Sequence, residues 1–181
     1  MKELSLNILD VAKNSVVAGA SLVEISLITD IDGILTLYIK DNGCGMSEET
    51  VKNVVDPFYT TRTTRKVGLG LPLLKLAAEQ TGGCLKLVSS TDADAHGTTV
   101  EAVFDTKSID FMPIGDIVST ICILIAGSPE IDFCFDDISP TRQVSLRTAE
   151  LRAVLGEDIS LAEPEIQVWI AEYLREQYEQ Q

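Results

Sequence analysis

The chain has 181 residues, of which 45% are hydrophobic and 23% charged, a composition that suits a globular fold and excludes wholesale disorder. Its 28 acidic and 14 basic side chains give a net charge of −14, which opposes binding to nucleic-acid phosphates and to anionic membrane surfaces. The longest apolar run, 121–126, is too short to span a bilayer, and residues 1–5 lack the features of a signal peptide, so we expect a cytoplasmic protein.

A helical pattern followed by a hairpin pattern opens the chain. Apolar side chains recur at helical spacing from Leu4 to Ala20, and Gly19 marks the expected end of this helix. Two alternating stretches, residues 23–28 and 35–40, flank an Asp-Gly turn, and they predict an antiparallel hairpin.

Two helices and two more strands follow the hairpin. Ser47 predicts the N-cap of a short helix, and residues 69–81 predict a longer helix that a glycine pair ends. Alternating patterns predict strands at 84–89 and 98–104. This order predicts an α/β fold, a two-layer α/β sandwich with helices on one face of the sheet.

The character of the sequence changes near residue 107. Residues 107–181 carry 5 basic and 14 acidic side chains, a net charge of −9. We therefore expect two domains, residues 1–106 and residues 107–181, the second a small α+β extension that is a candidate for partner binding. Its pattern predicts helices at 116–126, 148–155 and 163–179 and strands at 131–136 and 143–146.

Two polar pairs in the extension have local interpretations. Ser160 and Glu163 have the spacing of a capping box for the last helix. Asp136 and Asp137 are interpreted as a solvated turn rather than as a metal site.

The cysteines match no zinc or iron–sulfur spacing. They are Cys44, Cys84, Cys122 and Cys134. We interpret them as reduced, buried thiols, except that Cys44 lies between two glycines.

Asp10 and Asn14 form the first of four clusters that carry chemistry. Because they are four residues apart, they share one face of the first helix, beside its apolar stripe. An amide oxygen is a ligand for a hard cation such as Mg²⁺, and a neighbouring carboxylate can orient a water as a general base. The alternative is that both are ordinary polar residues of a helix.

The second cluster is the loop Asp41-Asn-Gly-Cys-Gly-Met, directly after a strand. Glycine permits a positive φ and a close approach of the backbone to a ligand. An aspartate at a strand end can accept a hydrogen bond from an exocyclic amine such as that of adenine. A hairpin turn is the alternative, although the glycines on both sides of Cys44 exceed what a turn requires.

The third and fourth clusters follow one another. Residues 59–67 hold four threonines and three cations, which favours a phosphate-covering lid over the alternative of a solvated loop. The sequence Gly68-Leu69-Gly70-Leu71 then leads into a helix, and free N–H groups at a helix start make an anion site.

In this order, the four clusters resemble the ATP-binding domain of the GHKL superfamily of gyrase, ninety-kilodalton heat-shock chaperones, histidine kinases and mismatch-repair MutL proteins. The resemblance covers about residues 1–106. It implies a Bergerat-type ATP-binding fold with a mixed sheet, and ATP and Mg²⁺ as cofactors. Residues 107–181 resemble the tail of stand-alone ATP-binding proteins that occur beside iron-only hydrogenase genes.

The resemblance also implies roles for single residues. Asn14 falls at the asparagine that holds Mg²⁺ through the ATP phosphates, and Asp41 falls at the aspartate that reads adenine. Thr98 belongs to a Gly-Thr pair whose hydroxyl supports adenine binding through water. The other nucleotide-binding residues that it implies are Gly43, Gly45, Thr60, Thr61, Arg62, Lys66, Gly68, Leu69 and Gly70.

The sequence departs from the superfamily at three points. Asp10, the candidate general base, stands where hydrolysing members carry the longer glutamate, so we expect slow turnover at most. Lys66 replaces a glycine that histidine kinases often have, and it could supply charge to the phosphates instead. No helical hairpin with a phosphoacceptor histidine precedes Asp10, and His96 is interpreted as a loop residue, so we do not expect a self-contained sensor kinase.

Three functions stay open at this level. The chain could act in trans on a partner protein as a kinase or nucleotide switch. It could be a slow ATPase that drives a conformational cycle, or a module that only senses ATP and ADP. The sequence names no partner and leaves a homodimer open.

Overall fold

Helices and strands account for most of residues 3–55, 69–156 and 159–180, which are the residues that this computed structural model describes. The helices are α1 (Leu4–Val17), α2 (Glu48–Asn53), α3 (Gly70–Gln80), α4 (Ile117–Gly127), α5 (Thr148–Leu155) and α6 (Pro164–Glu179). The strands are β1 (Leu22–Thr29), β2 (Ile34–Asp41), β3 (Cys84–Ser90), β4 (Gly97–Asp105), β5 (Asp132–Ser139) and β6 (Arg142–Arg147).

The six described strands form one mixed sheet in the order β3-β4-β2-β1-β5-β6. The only parallel pair among them is β1 with β5, and the other neighbours are antiparallel. Near the start of β1, Val23 pairs with Asp41 of β2 on one side and with Phe133 of β5 on the other. The C-terminal strands therefore extend the same sheet that carries the glycine loops.

One face of the sheet carries the core. Alternate residues of each strand point to this face, and those in register form apolar rows across the sheet. One such row consists of Leu87, Val100, Ile39, Ile25, Phe135 and Leu146. The opposite face carries exposed or half-buried ion pairs, such as Glu24 with Lys40 and Lys86 with Glu101. The predicted α/β fold class, with its mixed sheet, is confirmed.

The predicted local signals set most element boundaries. The antiparallel hairpin is formed by β1 and β2, and Gly33 in its turn has φ +83°. Ser47 is the N-cap of α2, where its hydroxyl accepts a hydrogen bond from the Thr50 amide at 3.2 Å. Gly19, with φ +72°, follows the end of α1, as helix-ending glycines do.

The capping box predicted for the last helix is wrong. Glu163 is the N-cap of α6 and Pro164 is its first residue, with no side-chain hydrogen bond to the cap. Because proline has a fixed φ and no N–H, it sets the first helical turn at this point. Ser160 instead accepts a hydrogen bond from the Ala162 amide at 3.2 Å, before the helix begins.

The interpretation of Asp136 and Asp137 as a solvated turn is also wrong, because both lie within β5. Strand alternation places Asp137 on the helix-covered face, where it is 1% exposed. Arg142 donates to its Oδ1 at 2.9 Å, and the Tyr178 hydroxyl donates to its Oδ2 at 2.8 Å. These two partners satisfy a carboxylate that would otherwise be costly to bury.

The four cysteines are free thiols. Cys122 and Cys134 are half-buried, and burial raises the pKa of both thiols. Cys84 is exposed on β3, so the expectation that it is buried is wrong, because it points to the uncovered face of the sheet. Among the described residues, no helix is long and apolar enough to cross a membrane.

Candidate functional site

The carboxylate of Asp41 lies at the end of β2, against the C-terminal half of α1. The Ser15 hydroxyl donates to its Oδ2 at 2.6 Å, and the Gly43 amide donates to its Oδ1 at 2.9 Å. The side chain is half-buried, so it stays accessible from one side. Because an ionised carboxylate accepts about four hydrogen bonds, it keeps capacity for the amine of a ligand.

The loop after Asp41 has no room for side chains at two of its glycines. A Cβ on Gly43 would lie 2.9 Å from the Cβ of Ala18, and a Cβ on Gly45 would lie 1.8 Å from the carbonyl oxygen of Ser90. Gly45 also has φ +70°, which L residues rarely adopt. The Cys44 amide donates to the Ala18 carbonyl at 2.9 Å and so ties this loop to α1.

Thr98 is the ladder partner of Asp41 on the neighbouring strand β4. Its hydroxyl is 2.8 Å from Ser89 Oγ, and Ser89 donates its own proton to the Gly97 carbonyl at 2.9 Å. Thr98 must therefore be the donor to Ser89, which leaves the lone pairs of Thr98 free to accept from a ligand or a water. The Met46 amide also donates to Ser89 at 2.8 Å, so one hydroxyl joins both loops.

Asp10 and Asn14 lie one turn apart on α1 with exposed side chains. They border the apolar stripe of α1, since a Cβ on Gly70 would meet both the Asp10 Cβ at 3.2 Å and Val11 Cγ2 at 3.7 Å. Within the described part of the chain, neither side chain has a hydrogen-bond or ion-pair partner. Both are thus available to a ligand.

The start of α3 lies against α1 at Asp10. A Cβ on Gly70 would come within 3.2 Å of the Asp10 Cβ, so glycine allows the two helices this approach. Leu69 is the N-cap of α3 and makes no side-chain hydrogen bond to the helix start. The N-terminus of an eleven-residue helix, with its positive dipole end, therefore lies beside Asp10, one turn before Asn14 on α1.

All eight predicted site residues that the structure describes lie between the middle of α1 and the end of β2. They are Asp10, Asn14, Asp41, Gly43, Gly45, Leu69, Gly70 and Thr98. The other predicted binding residues lie outside the described residues: Thr60, Thr61, Arg62, Lys66 and Gly68.

The structure adds supporting residues that the sequence reasoning missed. Ser15 orients Asp41, and Asn42 accepts hydrogen bonds from the Ser21 and Leu22 amides at 2.9 Å. His96 Nδ1 lies 2.7 Å from the carbonyl oxygen of Gly43, so this loop residue braces the glycine loop. A signal existed only for Ser15, a polar residue four positions after Val11 in the apolar stripe of α1.

Two curated proteins are similar to part of this chain. The C4-dicarboxylate transport sensor protein DctB of Pseudomonas aeruginosa is 37% identical over 62 residues, which are 34% of this chain and 10% of that protein. A Rickettsia conorii protein named as an NtrY-like sensor histidine kinase is 25% identical over 111 residues, 61% of this chain and 18% of that protein. The match thus spans less than a fifth of either relative.

Solved structures with low sequence identity share the fold. The Aquifex aeolicus MutL ATPase domain complexed with ADP has a TM-score of 0.52 at 17% identity, covering 86% of this chain and 68% of that one. The N-terminal domain of a DNA repair protein has a TM-score of 0.56 at 16% identity, covering 81% and 52%.

A family model covers all eight of the described residues around Asp41 and α1, here called the Asp41 site. The model that matches residues 1–108 is described as "Histidine kinase-, DNA gyrase B-, and HSP90-like ATPase". All the predicted site residues fall within that range. The chain therefore belongs to the family of histidine kinase-, DNA gyrase B- and HSP90-like ATPases.

Proposed function

We propose that this chain binds Mg-ATP at the Asp41 site and acts in trans on a partner protein, as a protein kinase or as a nucleotide-dependent switch. The observation that carries the nucleotide part is the orientation of Asp41 by Ser15 and Gly43, at 2.6 Å and 2.9 Å. The membership of the chain in an ATPase family supports the same ligand.

The hydrogen-bond acceptors at Asp41 and Thr98 suit adenine. The carboxylate accepts hydrogen bonds, and adenine offers an exocyclic amine at its Watson–Crick edge, where guanine has a carbonyl oxygen. Thr98 offers a second acceptor on the neighbouring strand. The tight approach of Gly43 to Ala18 keeps side chains out of the space beside the carboxylate. We therefore expect ATP to bind far more tightly than GTP.

The groups at the α1–α3 contact suit a triphosphate with its cation. Asn14 would hold Mg²⁺ through its amide oxygen, and the free amides at the start of α3 would bind phosphate oxygens. Magnesium, when bound, neutralises charge on the phosphates. Asp10 would position a water or a partner hydroxyl and accept its proton, and the shorter aspartate makes rapid hydrolysis by this chain unfavourable.

Action on a partner protein is the finer part of the proposal. The relatives are named sensor proteins and sensor kinases, and the part that matches is less than a fifth of each. We expect this chain to exert its effect on a protein that it contacts. Asp10 is exposed, so the acceptor group of such a partner could approach it.

Incubation with γ-labelled ATP tests this function. The full chain should bind Mg-ATP in calorimetry and release little free phosphate when it is alone. With cell extract, a kinase should place label on a second protein, and Asp41→Asn should remove that label. Rapid release of free phosphate by the chain alone would instead support an ATPase cycle, and binding without release or transfer would leave a switch or a sensing module.

A further inference from the structure

The outward side of α6 carries a stacked aromatic pair. The rings of Trp169 and Tyr173 lie 5.1 Å apart at 10° to one another. They remain 47% and 38% exposed, although the same helix buries Ile170 and Leu174 in the core. Two large aromatic side chains ordered against each other in solvent are a feature of binding surfaces rather than of solvated helix faces.

This side of α6 lies beside the free edge of the sheet. Gln177, one turn after Tyr173, accepts a hydrogen bond from the Ser145 amide at 2.9 Å and donates to the Ser145 carbonyl at 3.1 Å. The side-chain amide thus occupies the position that a neighbouring strand would take on β6. A partner that approaches here meets the helix face, because the strand edge at Ser145 is already closed.

Glutamates border the aromatic pair along the helix. Glu165 precedes Trp169 by one turn, Glu172 follows it by three residues, and Glu176 follows Tyr173 by three residues. All three are exposed, and none takes part in an ion pair among the described residues. The aromatic rings therefore lie beside three carboxylates without an ion-pair partner among the described residues, whereas Arg175, the basic residue of α6, lines a cavity together with Asp116 at the start of α4.

We infer that this α6 surface, formed by Trp169, Tyr173 and the three glutamates, docks a basic, arginine-bearing segment of a partner protein. A guanidinium stacks on aromatic faces and pairs with carboxylates at the same time, which few other groups do. The charge of the surface selects a cationic occupant. It also disfavours a second copy of this chain, because two such surfaces would bring six glutamates together.

The α6 surface is separate from the nucleotide site. Helix α6 packs on β6 and α4, at the opposite end of the strand order from β3 and β4. Peptide binding to the α6 surface can therefore be tested without nucleotide. A negative result there would say nothing against nucleotide binding at Asp41, and loss of nucleotide binding would say nothing against the α6 surface.

The full chain carries its own reporter for this test, because Trp169 is its single tryptophan. The probe is a synthetic amphipathic peptide of arginine, leucine and alanine, without aromatic residues. We expect a saturable change in Trp169 emission, weakened by added salt because the attraction is between exposed charges. The same peptide with lysine should bind more weakly, and with glutamate it should not bind.

Two triple variants with equal net charge separate local recognition from general attraction to an acidic protein. Glu165→Gln, Glu172→Gln and Glu176→Gln together should weaken binding about tenfold, from exposed pairs of modest strength. Asp32→Asn, Asp110→Asn and Glu130→Gln change exposed carboxylates elsewhere and should keep binding within about twofold. Tyr173→Leu, which preserves Trp169 as the reporter, should also weaken binding of the arginine peptide. Equal losses in the two triple variants, or no saturable change in emission, would overturn the inference.

Discussion

At the scale of single residues, Asp41 accepts two protein hydrogen bonds before any ligand arrives, from Ser15 and Gly43. Asp41→Asn should lower ATP affinity about 100-fold, because a hydrogen bond to a charged group is lost and the new amide turns a donor toward the adenine amine. Isothermal titration calorimetry with Mg-ATP measures this loss.

Asp32→Asn is the control for that measurement, because it removes one exposed carboxylate from the β1–β2 turn. It should leave affinity for ATP unchanged. Affinity near the wild-type value in Asp41→Asn would contradict the adenine assignment, and GTP binding as tight as ATP binding would contradict it independently.

Asn14 gives a second prediction at this scale. Asn14→Ala should remove the Mg²⁺-dependent part of ATP affinity and leave metal-free ADP binding less affected, because alanine supplies no oxygen ligand. Titrations with and without Mg²⁺ separate the two contributions. Equal losses under both conditions would mean that Asn14 acts only on the helix and not on a cation.

The sequence predicted the residues that a nucleotide would touch better than the residues that hold them in place. Glycines and an aspartate in one short loop can be recognised locally, because their spacing alone indicates close backbone approach. Ser15 and Ser89 act on partners 26 and 43 residues away in the chain. No local pattern reveals such a contact, since it depends on how the strands pair.

At the scale of elements, helix α4 depends on one capping side chain. Asp116 Oδ1 accepts from the Ser119 amide at 2.9 Å, and Oδ2 accepts from its hydroxyl at 2.6 Å. These hydrogen bonds, the hydroxyl first, lower the pKa of Asp116. The ionised Asp116 cap should therefore stabilise the folded chain fully above the ordinary carboxyl pKa near about 4. This stabilisation should be lost as the pH falls through the lower pKa of Asp116 in the folded chain.

Asp116→Ala should lower the free energy of unfolding at neutral pH by about 1 kcal/mol. Urea denaturation at pH 7 measures this, with the exposed Asp110→Ala as the matched control. The difference between wild type and Asp116→Ala should shrink at acid pH. A constant difference across pH would show that the carboxylate charge does not cap the helix.

Element boundaries were predictable where one residue decides them. Ser47 and Gly19 act within a single turn of their helices, so their effects can be read along the chain. The capping box predicted at Ser160 was wrong because Pro164, only four residues further on, determines where the helix starts. The solvated turn predicted at Asp137 was wrong because the alternation of side chains along β5 determines its environment, and the predicted strand ended before it.

At the scale of the whole molecule, Asp137, Arg142 and Tyr178 fasten the end of α6 to the sheet. Burial first, and then the charge of Asp137, raises the pKa of the Tyr178 phenol. The folded chain therefore disfavours the phenolate. This contribution to stability is complete below the ordinary tyrosine pKa near about 10 and is lost as pH rises above it.

Tyr178→Phe should lower the free energy of unfolding at neutral pH by about 1–3 kcal/mol, because Asp137 loses a buried donor. The gap to wild type should narrow above about pH 10. Tyr38→Phe, at a half-buried tyrosine on the open face, is the control and should change little. Chemical denaturation across this range tests it, and a gap that widens with pH would contradict the assignment.

Residues 1–108 alone should not form a stable monomer. Without residues 109–181, strand β1 loses its partner β5 and becomes an edge, and helix α1 loses the packing of α4. Size-exclusion chromatography should show aggregation of this fragment, whereas the full chain elutes as a discrete species. A monomeric, cooperatively unfolding fragment would contradict the prediction.

Val23 pairs with both Asp41 and Phe133, so the Asp41 end of the sheet and the C-terminal strands belong to one hydrogen-bonded unit. A rotation of residues 107–181 against the rest of the chain would have to break the seven paired positions that join β1 to β5. A conformational change that passes from Asp41 to α6 would therefore move helices across a sheet that keeps its pairing. Pairs of labels placed across β1 and β5 should keep their separation in every nucleotide state.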